Sequence, residues 1–341
     1  MNFVTLREAE LYAKKKISSK IFQWLQSGAE DNFTYNKNFL DLVNIKIKPK
    51  HLNKVGNIDI SKNFFGSKIS LPILIAPMGH QTQFHKNGEI ETAAGAKNMN
   101  IISFFSTQGR ISLNDIRKKN AKTKIGWTIF PFGDKSWILE EIKSAEKNKC
   151  VAITVCIDAN VRSWRYGDRE SRYDARTIGR RTNPVSPSPA SALNYDWELI
   201  SFIKKNTKLP IIIKGVLTKE DANNCIKKKV DAIWISNHGG RMFNSGISGV
   251  DAIKNFGSKL KRSKIKIIVD GGIRKGSDVI KYLCLGADFV AIGRPVIHGL
   301  VCNNKKGVQK VFEILSDELK TSMINGGFKN YKDFRLDRLI F

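Results

Sequence analysis

The chain alternates short apolar runs with longer stretches of helical spacing. Runs of strand length fall at 71–76, 101–105, 124–130, 151–157, 210–213, 232–235, 266–269 and 289–292. Between them apolar residues recur every three to four positions, as from Trp137 to Lys147, Lys219 to Lys228 and Gly276 to Leu285. Strand runs separated by helices in this way predict a parallel sheet closed on itself, a (β/α)8 TIM barrel, in preference to an open doubly wound sheet. Residues 1–65 precede the first run and are expected to form helices packed on the barrel, making 1–341 a single domain. The stretch 165–194, rich in arginine, serine and proline, is the longest irregular connection. Connections of that length usually serve as lids or docking surfaces.

Composition narrows the class. Cys150, Cys156, Cys225, Cys284 and Cys302 are odd in number and mostly sit in apolar runs, with no paired spacing suited to zinc. A reducing compartment and no metal are expected. Arg7, Glu8 and Glu10 stand where a secretion signal needs apolar residues, and no apolar run approaches membrane-spanning length. The ending Arg338-Leu339-Ile340-Phe341 is not a peroxisomal tripeptide, so cytoplasm is the expected location.

The net charge of +27 would attract nucleic acid, anionic lipid or an acidic protein. Abundant lysine, asparagine and isoleucine spread along the whole chain fit compositional drift instead. One segment resists that explanation. Arg162, Arg165, Arg169, Arg172, Arg176, Arg180 and Arg181 follow one another closely in a chain that elsewhere prefers lysine. On a helix they would share a face and meet a ligand carboxylate, an anionic surface or an acidic neighbour.

In barrels of this type the chemistry lies at the carboxyl ends of the strands. Those ends carry Pro77-Met78-Gly79-His80, Ser106, Thr128 and Phe130, Cys156 and Asp158, Lys214, His238 and Arg241, Asp270 to Arg274, and Gly293-Arg294. His238 and Arg241 arrive together in Ser236-Asn237-His238-Gly239-Gly240-Arg241, directly after a buried run. Glycine amides and guanidiniums in Asp270-Gly271-Gly272-Ile273-Arg274 and Gly293-Arg294 suit a phosphate, which implies a phosphate-bearing cofactor or substrate. Lys214 ends an apolar run, so its ammonium projects into the barrel mouth and needs an anion there. His51, His80, His85 and His298 lack such settings and read as structural or solvent-facing.

On these residues the chain resembles the FMN-dependent 2-hydroxy acid oxidase and dehydrogenase family, which includes glycolate oxidase, lactate oxidase and mandelate dehydrogenase. The resemblance runs from about residue 5 to residue 335 and is most specific at Ser236 to Arg241. Ser27-Gly28-Ala29-Glu30-Asp31, Ile75-Ala76-Pro77, Lys214-Gly215, Asp270-Gly271-Gly272 with Arg274, and Ile292-Gly293-Arg294-Pro295 support it.

The resemblance implies FMN across the barrel mouth, its phosphate against Gly272, Arg274, Gly293 and Arg294, and its ring lined by Pro77, Met78, Gly79 and Ser106. Asp270, Gly271 and Ser236 belong to the same cofactor-binding motifs. Lys214 would face flavin N1 and O2. His238 resembles the family's base and Asp158 the carboxylate that pairs with it. Arg241 would hold the substrate carboxylate, with Arg165 as its second partner unless a loop shift puts Arg169 there. A homotetramer is implied, with oxygen or a redox partner as electron acceptor.

The chain also departs from the family pattern. Trp24 and Phe130 stand where tyrosines touch the substrate, Thr128 replaces a glutamine, Cys156 a threonine, and Met242-Phe243 a polar pair. The substrate site is therefore more apolar, and plain glycolate or lactate should fit it poorly. A larger, more apolar or carrier-borne carboxylate is expected. Other readings are FMN-dependent oxidation of an amine, amino acid or peptide-borne group, or a non-catalytic basic barrel binding an anionic partner.

Overall fold

The computed structural model describes residues 2–173 and 179–341. Its centre is a closed parallel barrel of β1 (Ile73–Ile75), β2 (Ile102–Ser106), β3 (Lys124–Ile129), β4 (Ile153–Cys156), β5 (Ile211–Lys214), β6 (Ala232–Ile235), β7 (Lys266–Asp270) and β8 (Phe289–Ile292). Every predicted run became a strand, with ends moved by one or two residues. The runs lack polar alternation because both faces are buried. One parity points to the surrounding helices (Ile73, Ile75, Ile153, Val155, Ile211, Ile213, Ile233, Ile235), while the other fills the barrel (Leu74, Ile102, Phe104, Ile212, Trp234, Ile268, Phe289).

A hairpin of Lys62–Phe64 and Ser67–Ile69 plugs the amino-terminal end of the barrel. Its Phe64 meets Phe289 at 5.1 Å and Phe104 at 6.1 Å, both edge-on. The inward parity, followed upward from this apolar floor, ends at Ser106, Thr128, Cys156, Lys214, Ser236 and Asp270, all buried. A polar layer thus crowns an apolar barrel, and strand parity alone aims it at the mouth.

Three amino-terminal helices, α1 (Leu6–Lys16), α2 (Ser19–Gln26) and α3 (Phe33–Asn44), precede the barrel. Side-chain caps start the first two, Thr5 accepting from the Glu8 amide and Ser18 from that of Ile21. The turn between α2 and α3 docks on the loop after β6, where the Ala29 amide donates to the Gly240 carbonyl at 2.7 Å. Gly240 has φ +74°, and any Cβ there would lie 2.4 Å from the Tyr35 backbone nitrogen. Only glycine permits that approach.

Among its described residues the arginine-rich connection is α-helical only over Tyr166–Glu170, with a 3-10 turn at Pro189–Asn194. The face that a continuous helix would have given the arginines is absent among the described ones: Arg169 stacks on Trp164, Arg165 turns inward to Asp168, and Arg172 sits at φ +51°. Arg176 lies outside the described residues. Proline and glycine at 179–189 end helical spacing, and this part docks on the loop after β2. Thr182 and Asn183 amides both donate to the Arg110 carbonyl, and the Asn183 side chain reaches the carbonyls of Thr107 and Gly109. Among the described residues no helix is long and apolar enough to cross a membrane.

Candidate active site

A cavity of about 630 Å³ opens at the carboxyl ends of the strands. Its wall includes Trp24, Pro77, Met78, Gly79, Phe130, Arg165, Lys214, His238, Arg241, Gly271, Gly272, Arg274, Gly293 and Arg294, with Asp270 among them. These residues come from nearly every strand end and from α2, so the fold brings most of the sequence candidates to one place. Ser106, Thr128, Cys156 and Ser236 lie buried just behind that wall. Asp158 is reached through His238.

The core of the site is a chain of hydrogen bonds. His238 Nδ1 lies 3.0 Å from Asp158 Oδ1, so Nδ1–H donates to the carboxylate and the Nε2 lone pair is left free. Lys214 Nζ donates to Ser236 Oγ at 2.8 Å and lies 3.9 Å from Asp158 Oδ2. Ser236 Oγ donates to Asp270 Oδ1 and accepts the His238 amide at 3.0 Å, while Trp234 Nε1 donates to Asp270 Oδ2. One hydroxyl therefore ties the ammonium, a carboxylate and the base's backbone together. His238 itself has φ +57°, a left-handed conformation that this bond and the adjoining glycines hold in place.

The charges follow from this arrangement. Burial would raise the Asp158 carboxyl, yet Lys214 and then His238 outweigh it and hold it well below the usual carboxylate range. Burial lowers the His238 imidazole, opposed chiefly by Asp158, so at neutral pH the ring is uncharged and able to accept a proton. Burial also lowers Lys214, but Asp158 and Asp270 more than reverse it and the ammonium stays charged. Burial raises Asp270. The Cys156 thiol is pushed up by burial and then by Asp158, so it remains protonated and donates to Asp158 Oδ1 at 3.0 Å. Cys156, Asp158 and His238 could geometrically hold a metal ion, but their mutual hydrogen bonds account for the grouping.

Six arginines line the cavity, and Arg165, Arg241, Arg274 and Arg294 are the most buried of them. Arg241 Nη1 donates to the carbonyls of Trp24, Leu25 and Ser27, and its carbon lies 5.0 Å from the Trp24 ring. Arg294 donates to Leu25, Ser27 and Gly239 carbonyls and covers Tyr35 at 4.5 Å; Arg274 covers Phe39 at 4.8 Å. Arg165 pairs with Asp168 at 3.1 Å, which Ser27 Oγ also binds. Burial lowers the pKa of each, that of Arg294 to about 10, and Arg165 and Arg294 push Arg241 down further. Guanidiniums keep their protons, so the strain of crowding is relieved by an anion between them.

Several features escaped sequence reading. Tyr35 and Phe39 of α3, far away in sequence, carry the rings that Arg294 and Arg274 cover, and Phe84, Phe132 and Gln108 line the cavity. Asp168 had a local signal, four residues from Trp164 in a charged turn. The glycines of the site are also held by packing. A Cβ on Gly79 would lie 2.9 Å from the Gln108 carbonyl oxygen, so packing against that loop favours glycine there. Gly271 and Gly272, at φ +103° and +78°, clear the way for Asn38 of α3 as well as for a ligand.

The donor set fits FMN. Buried arginines short of anions suit the phosphate, and Ser106 Oγ and Thr128 Oγ1 are buried without hydrogen-bond partners where buried hydroxyls are ordinarily satisfied.

Comparison with known proteins agrees. Residues 13–340 match the model of the FMN-dependent dehydrogenase family. The chain is 32% identical to human 2-hydroxyacid oxidase 2, covering 100% of this chain and 99% of that one. It is 31% identical to a peroxisomal (S)-2-hydroxyacid oxidase of Arabidopsis thaliana, over 97% of this chain and 94% of the relative. Among solved structures, mandelate oxidase with benzoyl-formic acid superposes with a TM-score of 0.92 at 26% identity, covering 99% of this chain and 98% of that one. The barrel, the anion-seeking arginines and these full-length matches converge: the chain belongs to the FMN-dependent dehydrogenase family.

Proposed function

We propose that His238, Asp158, Arg241 and Arg165 carry the oxidation of a 2-hydroxy acid to its 2-oxo product, the reaction of this FMN-dependent oxidoreductase family. The observation that supports this most is the free Nε2 of a neutral imidazole, oriented by Asp158, in the same cavity as the two arginines. Arg241 and Arg165 hold the substrate carboxylate, which orients the α carbon towards His238. The oxidation removes two electrons and two protons from the substrate. His238 Nε2 takes one proton, and Asp158 stabilises the imidazolium that results. Arg274 and Arg294 would hold the FMN phosphate, with Gly272 and Gly293 beside it, and Lys214 would answer negative charge on the ring. When bound, FMN supplies the acceptor for both electrons and for the second proton. Pro77, Met78, Gly79, Ser106, Thr128, Cys156, Ser236, Asp270 and Gly271 complete its surroundings.

Around the reacting position the wall is Trp24, Phe130 and Met242, with Phe130 edge-on to His238 at 6.0 Å. It offers no hydroxyl where the family has two, which favours substrates with a side chain longer than that of lactate. The docked loop 179–189 covers the cavity, which supports its reading as a lid. Because the relatives are named oxidases, oxygen is the proposed acceptor. Assembly as a homotetramer rests on the family resemblance.

The test is oxygen consumption by the FMN-loaded protein with 2-hydroxy acids of increasing chain length, followed from about pH 5 to pH 8. Only the neutral imidazole accepts a proton, so kcat/KM falls as pH drops through the His238 pKa. Burial places that pKa below its ordinary value of 6.5. The expected profile is flat through neutrality, with an acid limb centred below 6.5. A limb centred above that value, or no consumption with any 2-hydroxy acid, contradicts the assignment.

A further inference from the structure

The cavity wall has two further guanidiniums, the exposed Arg162 and the partly buried Arg181, and the proposed mechanism does not use Arg181. It is not a loose surface charge. The residues that follow it are fixed: Thr182 and Asn183 amides bond the Arg110 carbonyl at 2.7 and 2.9 Å, and Ser186 Oγ bonds the Thr107 carbonyl at 2.9 Å. Arg181 Nη1 donates only to carbonyls of its own loop, Asn183 at 3.4 Å and Pro184 at 3.2 Å. Among the described residues it has no carboxylate within ion-pair distance. Burial lowers its pKa and nearby Arg110 lowers it further, with Glu89 opposing. A guanidinium held at a ligand cavity under such conditions calls for an anion.

The same cavity wall carries Phe130, Phe132, Val185, Pro187 and Met242. Arg241 and Arg165 already account for one carboxylate. We infer that the substrate is a 2-hydroxy acid whose side chain ends in a second anionic group, a carboxylate held by Arg181 beyond an apolar spacer. This rests on the proposed function and names its substrate class. It also gives one arginine of the +27 chain a specific purpose, which compositional drift does not.

The test compares chain-matched pairs on the FMN-loaded protein: 2-hydroxypentanoate against 2-hydroxyglutarate, and longer monocarboxylates against the corresponding 2-hydroxy dicarboxylates. At one length the dicarboxylate should have the higher kcat/KM by about tenfold or more, the usual worth of a charged hydrogen bond. Arg181→Ala should collapse that ratio by about ten- to a hundredfold, with Arg181→Lys restoring part of it. Arg180→Ala, an exposed change in the same loop, should preserve it. Retained yellow colour and monocarboxylate turnover show that each variant is folded. Equal rates for both members of every pair, or an equal loss on both in Arg181→Ala, overturn the inference while leaving 2-hydroxy acid oxidation standing. If no 2-hydroxy acid bleaches the flavin, the proposed function falls first and takes this inference with it.

Discussion

His238→Ala should slow reduction of the bound flavin by a 2-hydroxy acid about 10²- to 10⁴-fold, the usual contribution of a positioned base. FMN should still bind, because the arginines and Lys214 do not depend on the imidazole. The side chain is held by Asp158 alone among strong partners, at 3.0 Å, and its backbone by Ser236 Oγ, so removing the ring leaves the loop's anchor intact. Rapid-mixing absorbance at the flavin's visible band separates the two quantities. A variant that binds FMN and reduces it at the parent rate would show that the proton goes elsewhere.

Lys214→Met should have the second large effect, and it should appear in stability as well as in rate. Lys214 is only 3% exposed and lies between two carboxylates: Asp158 Oδ2 at 3.9 Å, and Asp270 through the shared Ser236 hydroxyl. Methionine fills a similar volume but leaves both carboxylates buried without a cation. Breaking a buried pair in this way costs about 3–5 kcal/mol, most of it as the penalty of an unpaired charge. Asp158, freed from its main stabiliser, should take up a proton more readily, which also weakens its hold on His238. Urea unfolding of the flavin-free protein measures the first effect and flavin reduction the second, where loss of an electrostatic donor typically costs about 10²- to 10³-fold. Unchanged unfolding would mean that Asp158 and Asp270 are compensated by groups other than Lys214.

The barrel was legible in the sequence because a parallel strand buried on both faces is an apolar run, and its boundaries are set by the polar residue that ends it. Lys214 after Ile211-Ile212-Ile213 is such a case: the strand rule predicted that the ammonium points into the mouth, and parity puts it there. His238, Arg241 and the two glycine-rich ends were legible for the same reason. Less could be read where a residue's surroundings come from distant chain. Tyr35 and Phe39 of α3 lie against Arg294 and Arg274, more than two hundred positions away, and no local period records such a contact. The arginine series misled because regular spacing suggests a helix only if the backbone can follow it. Here the chain leaves helical geometry after Glu170, and Arg165 is taken inward by buried Asp168. Gly79 shows the same limit at a single residue, since the neighbour that forbids a side chain is a carbonyl from another loop.

The departures at Trp24 and Phe130 acquire a physical reading in the structure. Trp24 packs on Phe84 at 5.8 Å and underlies Arg241, so it helps to position the arginine proposed to hold the substrate carboxylate. Phe130 presses on the His238 ring and helps to keep it dry, consistent with the lowered imidazole pKa. The wall is apolar at both positions, and Arg181 lines the same cavity.

The most direct measurement is anaerobic mixing of the FMN-loaded protein with a 2-hydroxy acid carrying hydrogen or deuterium at the α carbon. A yellow protein whose visible absorbance fades on mixing, more slowly with deuterium, is the result expected if this cavity breaks the α carbon–hydrogen bond over a bound flavin. A protein that takes up no FMN, or that stays yellow with every 2-hydroxy acid, would contradict it.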